Sequence, residues 1–126
     1  MILRKFCTLV ILTLIGTGLA QAAELAGKWL AEFDSQIGTQ KYSYEFKVDG
    51  TKISGLATFE HSMGKGTAEL IEIKLSGDDL SFVEPMKFQE QEIRVSYTGK
   101  IVGDEIKLTR MVGEFATEEI VAKRAK

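Results

Sequence analysis

The sequence predicts an all-β protein, an eight-stranded antiparallel barrel in up-and-down order. Apolar and polar residues alternate with period two through most of the chain after the first 27 residues, a pattern typical of half-buried strands. A motif of lysine, an apolar residue, any residue, glycine, two polar residues and an aliphatic residue occurs three times, at intervals of 27 and 26 residues. Short connections join the alternating runs, and short connections make neighbouring strands antiparallel.

The repeated motif predicts three tight turns. Its copies are 47–53, 74–80 and 100–106, each with a glycine at the fourth position. A glycine between two alternating runs accepts the positive φ that hairpin turns need. The interval corresponds to two strands and two connections, so the three turns are expected at the same end of the molecule.

The first four strands follow from the phase of their side chains. Aromatic, aliphatic or small residues occupy alternate positions, and mostly charged or hydroxyl-bearing residues lie between them. The fourth strand departs from this pattern because Leu70 is out of phase with Ile71, which is expected to face inward. A β-bulge is therefore expected near Leu70. The predicted strands are 28–34, 41–48, 52–60 and 67–75.

The last four strands follow by the same criterion. In the eighth, Ile120, Ala122 and Arg124 share one phase. No segment between the strands has a convincing amphipathic helical pattern. The predicted strands are 80–88, 92–101, 105–112 and 116–124.

Closure into a barrel would remove the exposed edges of an eight-stranded sheet. The alternative is a two-sheet β-sandwich of the same strands. An outer-membrane barrel is not expected, because its apolar face would point outward and its polar face inward. An inward stripe of small residues could leave room in the centre or admit large aromatic side chains, and a filled centre is expected in so short a chain. The stripe consists of Ala31, Gly55, Ala57 and Gly99.

Residues 1–22 have the pattern of a secretory signal peptide. Arg4 and Lys5 precede an apolar run at 9–19, and an Ala-Gln-Ala sequence ends the segment. The run is too short for a comfortable membrane span, which takes about 20 residues. We therefore expect cleavage that leaves a single domain, 23–126, with no stable membrane anchor.

Cleavage changes the composition of the mature protein. Removing Arg4 and Lys5 leaves 14 basic and 18 acidic residues, a formal charge of −4, and removes Cys7, the one cysteine of the chain. Disulfides, cysteine nucleophiles and cysteine metal sites are thereby excluded. The absence of a basic excess argues against nucleic-acid binding. An exported domain without disulfides favours a bacterial protein of the periplasm or the extracellular space.

Three residues carry a resemblance to a known family. Gly27 and Trp29 resemble the Gly-x-Trp opening of the first strand in calycins, the lipocalin and avidin group, and Arg124 resembles the basic residue that covers that tryptophan. The resemblance implies eight antiparallel strands and a structural role for these residues. The segment 27–46 also resembles small exported bacterial proteins of unassigned function. The chain is shorter than lipocalins and lacks their C-terminal helix, so a lipid-sized cavity is not expected.

Two charged residues fall in the inward phase. Glu84 lies on the fifth predicted strand and Arg110 on the seventh. An unpaired buried charge is costly, so each is expected to pair with the other, with Tyr44 or Tyr97, or with a polar group of a ligand. The alternatives are a structural ion pair and a bulge at Pro85 that turns Glu84 outward.

The leading functional prediction is that the barrel binds a small, partly apolar ligand at its open end. Tyr42, Tyr44 and Tyr97 would supply contact area, and Glu84 or Arg110 would orient the ligand. The mouth of a barrel is a preferred ligand site, and longer loops over a rigid scaffold often carry function. The longer connections, predicted at the end opposite the glycine turns, are 35–40, 61–66, 89–91 and 113–115.

The second prediction is an interaction module, such as an inhibitor or accessory subunit of an exported enzyme, that uses 35–40 and 61–66. An enzyme is not expected, because no second carboxylate of matching phase faces Glu84. His61 has no second histidine with which to bind a metal, and no cofactor site is predicted. A pocket that reaches the inward charges would favour the ligand. A packed interior with both charges salt-bridged would contradict the ligand prediction and favour the interaction module.

Overall fold

The computed structural model describes an all-β chain. The predicted signal peptide, 1–22, lies outside the described residues. The described residues are 24–35, 38–62, 64–88, 90–114 and 116–125. The strands are β1 (Gly27–Ser35), β2 (Gly38–Asp49), β3 (Lys52–His61), β4 (Gly64–Ser76), β5 (Asp79–Phe88), β6 (Gln91–Val102), β7 (Glu105–Val112) and β8 (Ala116–Arg124). In this part of the chain, no helix is long and apolar enough to cross a membrane.

The eight strands form one closed barrel in chain order. Every strand pairs antiparallel with the strands before and after it, and β1 pairs with β8. The predicted up-and-down barrel is confirmed, and the sandwich alternative is wrong. The inward set of side chains is apolar and aromatic, as the alternation predicted.

The three glycine turns lie at one end of the barrel. Gly50, Gly77 and Gly103 have φ values of 64°, 61° and 64°, the left-handed conformation that a side chain would strain. The turns were predicted correctly because the motif places glycine where this conformation is required. We call this the Trp29 end. The opposite end, where β1, β3, β5 and β7 finish, is the mouth.

Two connections at the mouth are shorter than the sequence predicted. Instead of spanning 35–40 and 61–66, each leaves two residues between consecutive strands. The strands continue because backbone pairing extends through polar residues, as where Asp34 pairs with Thr39. The alternation of apolar residues marks only the part of a strand that covers the core.

The predicted bulge is present in β4, displaced by one to two residues. The pairing of β4 with β5 shifts between Ile71 and Lys74, and Glu72 has a φ of 53°. The extra residue reverses the phase of the strand. Leu70 is therefore buried, and Ile71, expected to face inward, is 39% exposed.

The centre of the barrel is filled. Large side chains from different strands occupy it, among them Phe46, Phe82 and Leu108. The small residues admit them closely: a Cβ on Gly99 would lie 2.9 Å from the Leu108 side chain, and one on Gly55 would lie 3.1 Å from the Phe46 ring. The filled centre expected from chain length is observed.

The Trp29 end is closed by the segment that leads into β1. Leu25 and Trp29 are fully buried, and the Trp29 indole N–H donates to the Leu25 carbonyl at 2.9 Å. The Arg124 guanidinium carbon lies 4.2 Å from the centre of the Trp29 ring. Its N–H groups donate to the carbonyls of Glu24 and Ala26. The expected stacking of arginine on tryptophan is present.

The seam between β1 and β8 is paired only near the Trp29 end. Trp29 opposes Arg124 and Leu30 opposes Lys123. Continued towards the mouth, the same register would oppose Asp34 and Glu119, two carboxylates on the outer face. Like charges in opposed positions destabilise a strand pair. Fewer backbone hydrogen bonds therefore hold this side of the mouth.

Candidate functional site

The five residues predicted to contact a ligand lie together in the middle of the barrel. All five are almost completely buried. We call them the central cluster: Tyr42, Tyr44, Glu84, Tyr97 and Arg110.

Glu84 is bonded as a carboxylate. The Tyr42 hydroxyl donates to its Oε2 at 2.9 Å, and the Tyr97 hydroxyl donates to its Oε1 at 2.7 Å. The pairing of β5 with β6 is continuous from Asp79 to Phe88. No bulge at Pro85 turns Glu84 outward, so the inward phase was predicted correctly.

Arg110 reaches Glu84 through the same two hydroxyl groups. Its Nε donates to the Tyr97 oxygen at 2.9 Å, and its Nη2 donates to the Tyr42 oxygen at 3.1 Å. Its Nη1 donates to Glu118 Oε1 at 2.6 Å, an ion pair that is largely buried. The two inward charges are thus linked by bridging tyrosines rather than by direct contact.

Tyr97 forms hydrogen bonds with three other members of the central cluster, more than any other member does. Its hydroxyl donates to Glu84 and accepts from both Arg110 and Tyr44, the latter at 3.0 Å. A phenol has one donor and two acceptor positions. Every hydrogen-bonding position of Tyr97 is therefore used.

Burial dominates the electrostatics of the cluster. It raises the pKa of Glu84, although the hydrogen bond from Tyr97 and the charge of Arg110 oppose the shift. Burial also raises the pKa of Tyr42, Tyr44 and Tyr97 well above the usual range. Burial acts to lower the pKa of Arg110, but the tyrosines and Glu84 outweigh it and raise that pKa. At neutral pH the tyrosines are protonated and Arg110 is charged.

Glu118 belongs to the site, although it was not among the candidate residues predicted from the sequence. Its side chain is 16% exposed and pairs with Arg110 across neighbouring strands. The alternation pattern does indicate an inward side chain, since Glu118 shares the phase of Ile120 and Ala122. Its position next to Glu119 made an exposed acidic pair the simpler interpretation.

Above the cluster, an aromatic wall lines one side of the mouth. Tyr42 lies 5.7 Å from Phe33 and 5.7 Å from Phe59, and Phe59 stacks on His61 at 5.6 Å, measured between ring centres. Tyr42 is buried, whereas the other three rings are half-buried. Aliphatic side chains from β5, β6 and β7, also half-buried, lie at the same end: Met86, Ile93 and Val112.

Gln40 adds a polar group to the mouth that the sequence reasoning missed. It is 5% exposed, shares the inward phase of Tyr42 and lies opposite Phe33 on β1. Its Nε2 donates to the Ser35 Oγ at 2.8 Å. Its Oε1 is buried and has no hydrogen-bond partner within the described part of the chain.

The site has no evident metal-binding arrangement. Across the described ranges, no three histidine, cysteine, aspartate or glutamate side chains are grouped to hold a metal ion. Comparison with known proteins gives no match: no family model fits the sequence, and no curated protein or solved structure is similar enough to count as a match.

Proposed function

We propose that the protein is a binding protein that takes up a small, partly apolar molecule at the mouth of the barrel. The observation that carries this proposal is the difference between two layers of side chains. Members of the central cluster are buried and hydrogen-bonded, whereas the apolar side chains above them are only half-buried. They come from five strands, so a molecule placed there would be surrounded by apolar surface. These side chains are Phe33, Phe59, Met86, Ile93 and Val112.

In this proposal the central cluster forms the floor of the site. Glu84 and Arg110 already have hydrogen-bond partners, and large side chains fill the barrel beside them. A ligand would therefore rest on the cluster and on the aromatic wall rather than enter the centre. Such a shallow site suits a small molecule rather than a lipid chain.

The second candidate is an interaction module that binds another exported protein through the mouth. Its support is the filled interior and the salt bridge of Arg110 with Glu118. Glu84, by contrast, is held by the hydroxyl groups of Tyr42 and Tyr97 rather than by a salt bridge, so only one of the two inward charges is salt-bridged within the described residues. A partner would then insert an apolar side chain between the half-buried residues of the mouth. Neither candidate requires a catalytic group.

The resemblance to calycins and the export of the chain belong to the same proposal. The closed eight-stranded order and the stacking of Arg124 on Trp29 support a calycin-like protein. The pattern of residues 1–22 supports export to the periplasm or the extracellular space.

The test compares two half-buried side chains of the same strand, at opposite ends of the barrel. Thermal-shift and calorimetric titrations would use indole, benzyl alcohol, benzylamine and benzoate, because a ligand of the folded state raises the melting temperature. We expect Phe59→Ala at the mouth to weaken binding of whichever probe binds, and Ile53→Ala at the Trp29 end to leave it unchanged. Equal effects of the two variants, or no binding of any probe, would contradict the proposal.

A further inference from the structure

We propose that the mouth selects a small organic cation, a protonated amine joined to an apolar body, and that Gln40 recognises its N–H groups. This inference rests on the function proposed above and names the class of ligand. Three independent features point to it: a fixed hydrogen-bond acceptor, an excess of negative charge, and an aromatic wall that already accommodates a cation.

The orientation of the Gln40 amide is determined by its neighbours. The Ser35 hydroxyl donates its proton to the Gly38 carbonyl at 3.0 Å. Ser35 Oγ therefore accepts from Gln40, and the atom that faces it must be the amide nitrogen. Among the described residues, the carbonyl oxygen of Gln40 is left as a buried acceptor without a donor, an arrangement that is normally avoided.

A donor supplied by a ligand would satisfy this acceptor. Gln40 lies next to Phe33 on one side. On the other, the register that opposes Lys41 and Glu60 brings it level with His61. Gln40 thus belongs to the part of the mouth lined by the aromatic wall. An ammonium group combines N–H donors with a positive charge, and a charged donor forms the stronger bond.

The charges below the mouth favour a cation. The central cluster and Glu118 together hold two carboxylates and one guanidinium: Glu118 pairs with Arg110 directly, and Glu84 is linked to it through Tyr42 and Tyr97. Each nitrogen of Arg110 already donates to a neighbour within the barrel. An anionic ligand would be repelled by the excess negative charge, whereas a cation would be attracted by it without breaking any of those bonds.

The aromatic wall is compatible with a positive charge. The guanidinium carbon of Arg110 lies 5.3 Å from the ring centres of both Phe33 and Tyr42. Cations bind favourably over aromatic faces within about 6 Å of the ring centre. Phe59 and His61 continue the same wall towards the rim, so the apolar body of an amine could pack there while its ammonium group bonds to Gln40.

The test uses three probes that share a benzyl or phenyl ring and differ in their polar group. Benzylamine, benzyl alcohol and benzoate would be titrated into the purified protein at neutral pH and fixed ionic strength, with affinities taken from amide chemical shifts. We expect benzylamine to bind about tenfold more tightly than benzoate, with benzyl alcohol between them. We expect Gln40→Met, which keeps the length of the side chain, to weaken benzylamine binding about tenfold, as loss of a hydrogen bond to a charged group would.

The matched control is Gln91→Met, which changes an exposed glutamine at the same end of the barrel. It should leave all three affinities unchanged. A purely structural role for Gln40 predicts that Gln40→Met destabilises the fold, whereas removal of an unsatisfied buried acceptor should leave the free energy of unfolding unchanged or raised.

Three outcomes would contradict the inference. Equal affinity for the three probes would overturn cation selection while the proposed function stands. Unchanged benzylamine binding in Gln40→Met would overturn the role of Gln40. Failure of every probe to bind the unaltered protein would instead remove the proposed function. The comparison of the three probes in the unaltered protein tests the selection of a cation even if Gln40→Met does not fold.

Discussion

Removing one hydroxyl group at a time from the central cluster tests whether its hydrogen bonds stabilise the barrel. Tyr97→Phe, Tyr42→Phe and Tyr44→Phe each delete a single oxygen atom from a buried aromatic ring. The three variants therefore differ little in apolar burial and in the volume of the gap they leave. What differs is the number of buried groups that lose a hydrogen-bond partner.

The expected losses of stability follow from those numbers. Tyr97→Phe leaves Glu84, Arg110 and Tyr44 each without one partner. Tyr42→Phe affects Glu84 and Arg110 only, and Tyr44→Phe removes one bond to Tyr97. An unsatisfied buried group costs about 1–3 kcal/mol, and more if it is charged. We expect losses of about 3–5 kcal/mol for Tyr97→Phe, about 2–3 kcal/mol for Tyr42→Phe and about 1 kcal/mol for Tyr44→Phe, since coupled losses are not additive.

Urea denaturation followed by tryptophan fluorescence measures these differences, because Trp29 is the single tryptophan and is buried in the core. The slope of the unfolding free energy against urea should stay constant, so that a changed midpoint reports changed stability. Equal losses of stability in the three variants, or the largest loss in Tyr44→Phe, would contradict this stabilising role of the hydrogen bonds.

Three further predictions concern the charge of Glu84, the cover of Trp29 and the close approach at Gly99. Burial raises the pKa of Glu84 above its ordinary value of 4.5, so the folded state binds the proton more tightly. The stability gained from this tighter proton binding is fully present below pH 4.5 and is lost as the pH rises through the raised pKa. Urea midpoints measured between pH 7.5 and 4.5 should therefore depend less on pH in Glu84→Gln than in the unaltered protein, and the same pH dependence in both would contradict this prediction. Arg124→Ala, which removes the cover of Trp29, should lower the free energy of unfolding by about 1–3 kcal/mol with no effect on probe binding. Loss of probe binding at unchanged stability would show that Arg124 acts in binding rather than in the structure. Gly99→Ala should lower the melting temperature markedly, because its Cβ would lie 2.1 Å from the Lys107 carbonyl oxygen, and a variant as stable as the original would argue against that close approach.

The fold could be predicted largely from the sequence because the alternation of apolar residues and the positions of the turn glycines indicate the same strands. Alternation identified the strands, and glycine identified the turns at the Trp29 end. The bounds of β7 and β8 were predicted as observed. Those of β1 and β2 were too short, because polar pairs such as Asp34 and Thr39 extend the ladder without contributing to the core. Alternation also misplaced Ile71, because the bulge lies one to two residues beyond its predicted position and reverses the face on which a side chain lies.

The site could be predicted only in part. Phase placed Glu84 and Arg110 inside, but their bridging by Tyr42 depends on contacts across the barrel between residues far apart in the chain. Which inward side chains meet there depends on the stagger of all the strands, which no local pattern encodes. Gln40 and Glu118 had the inward phase, but polar residues near strand ends are usually exposed.

The central claim, that the mouth binds a small partly apolar molecule, is tested most directly by mapping where a probe binds. Amide chemical shifts of the isotope-labelled protein would be recorded during a titration with benzylamine. We expect saturable changes at the mouth, around Phe33, Gln40 and Phe59, and none around Trp29. No saturable change, or changes concentrated at the Trp29 end, would contradict the claim.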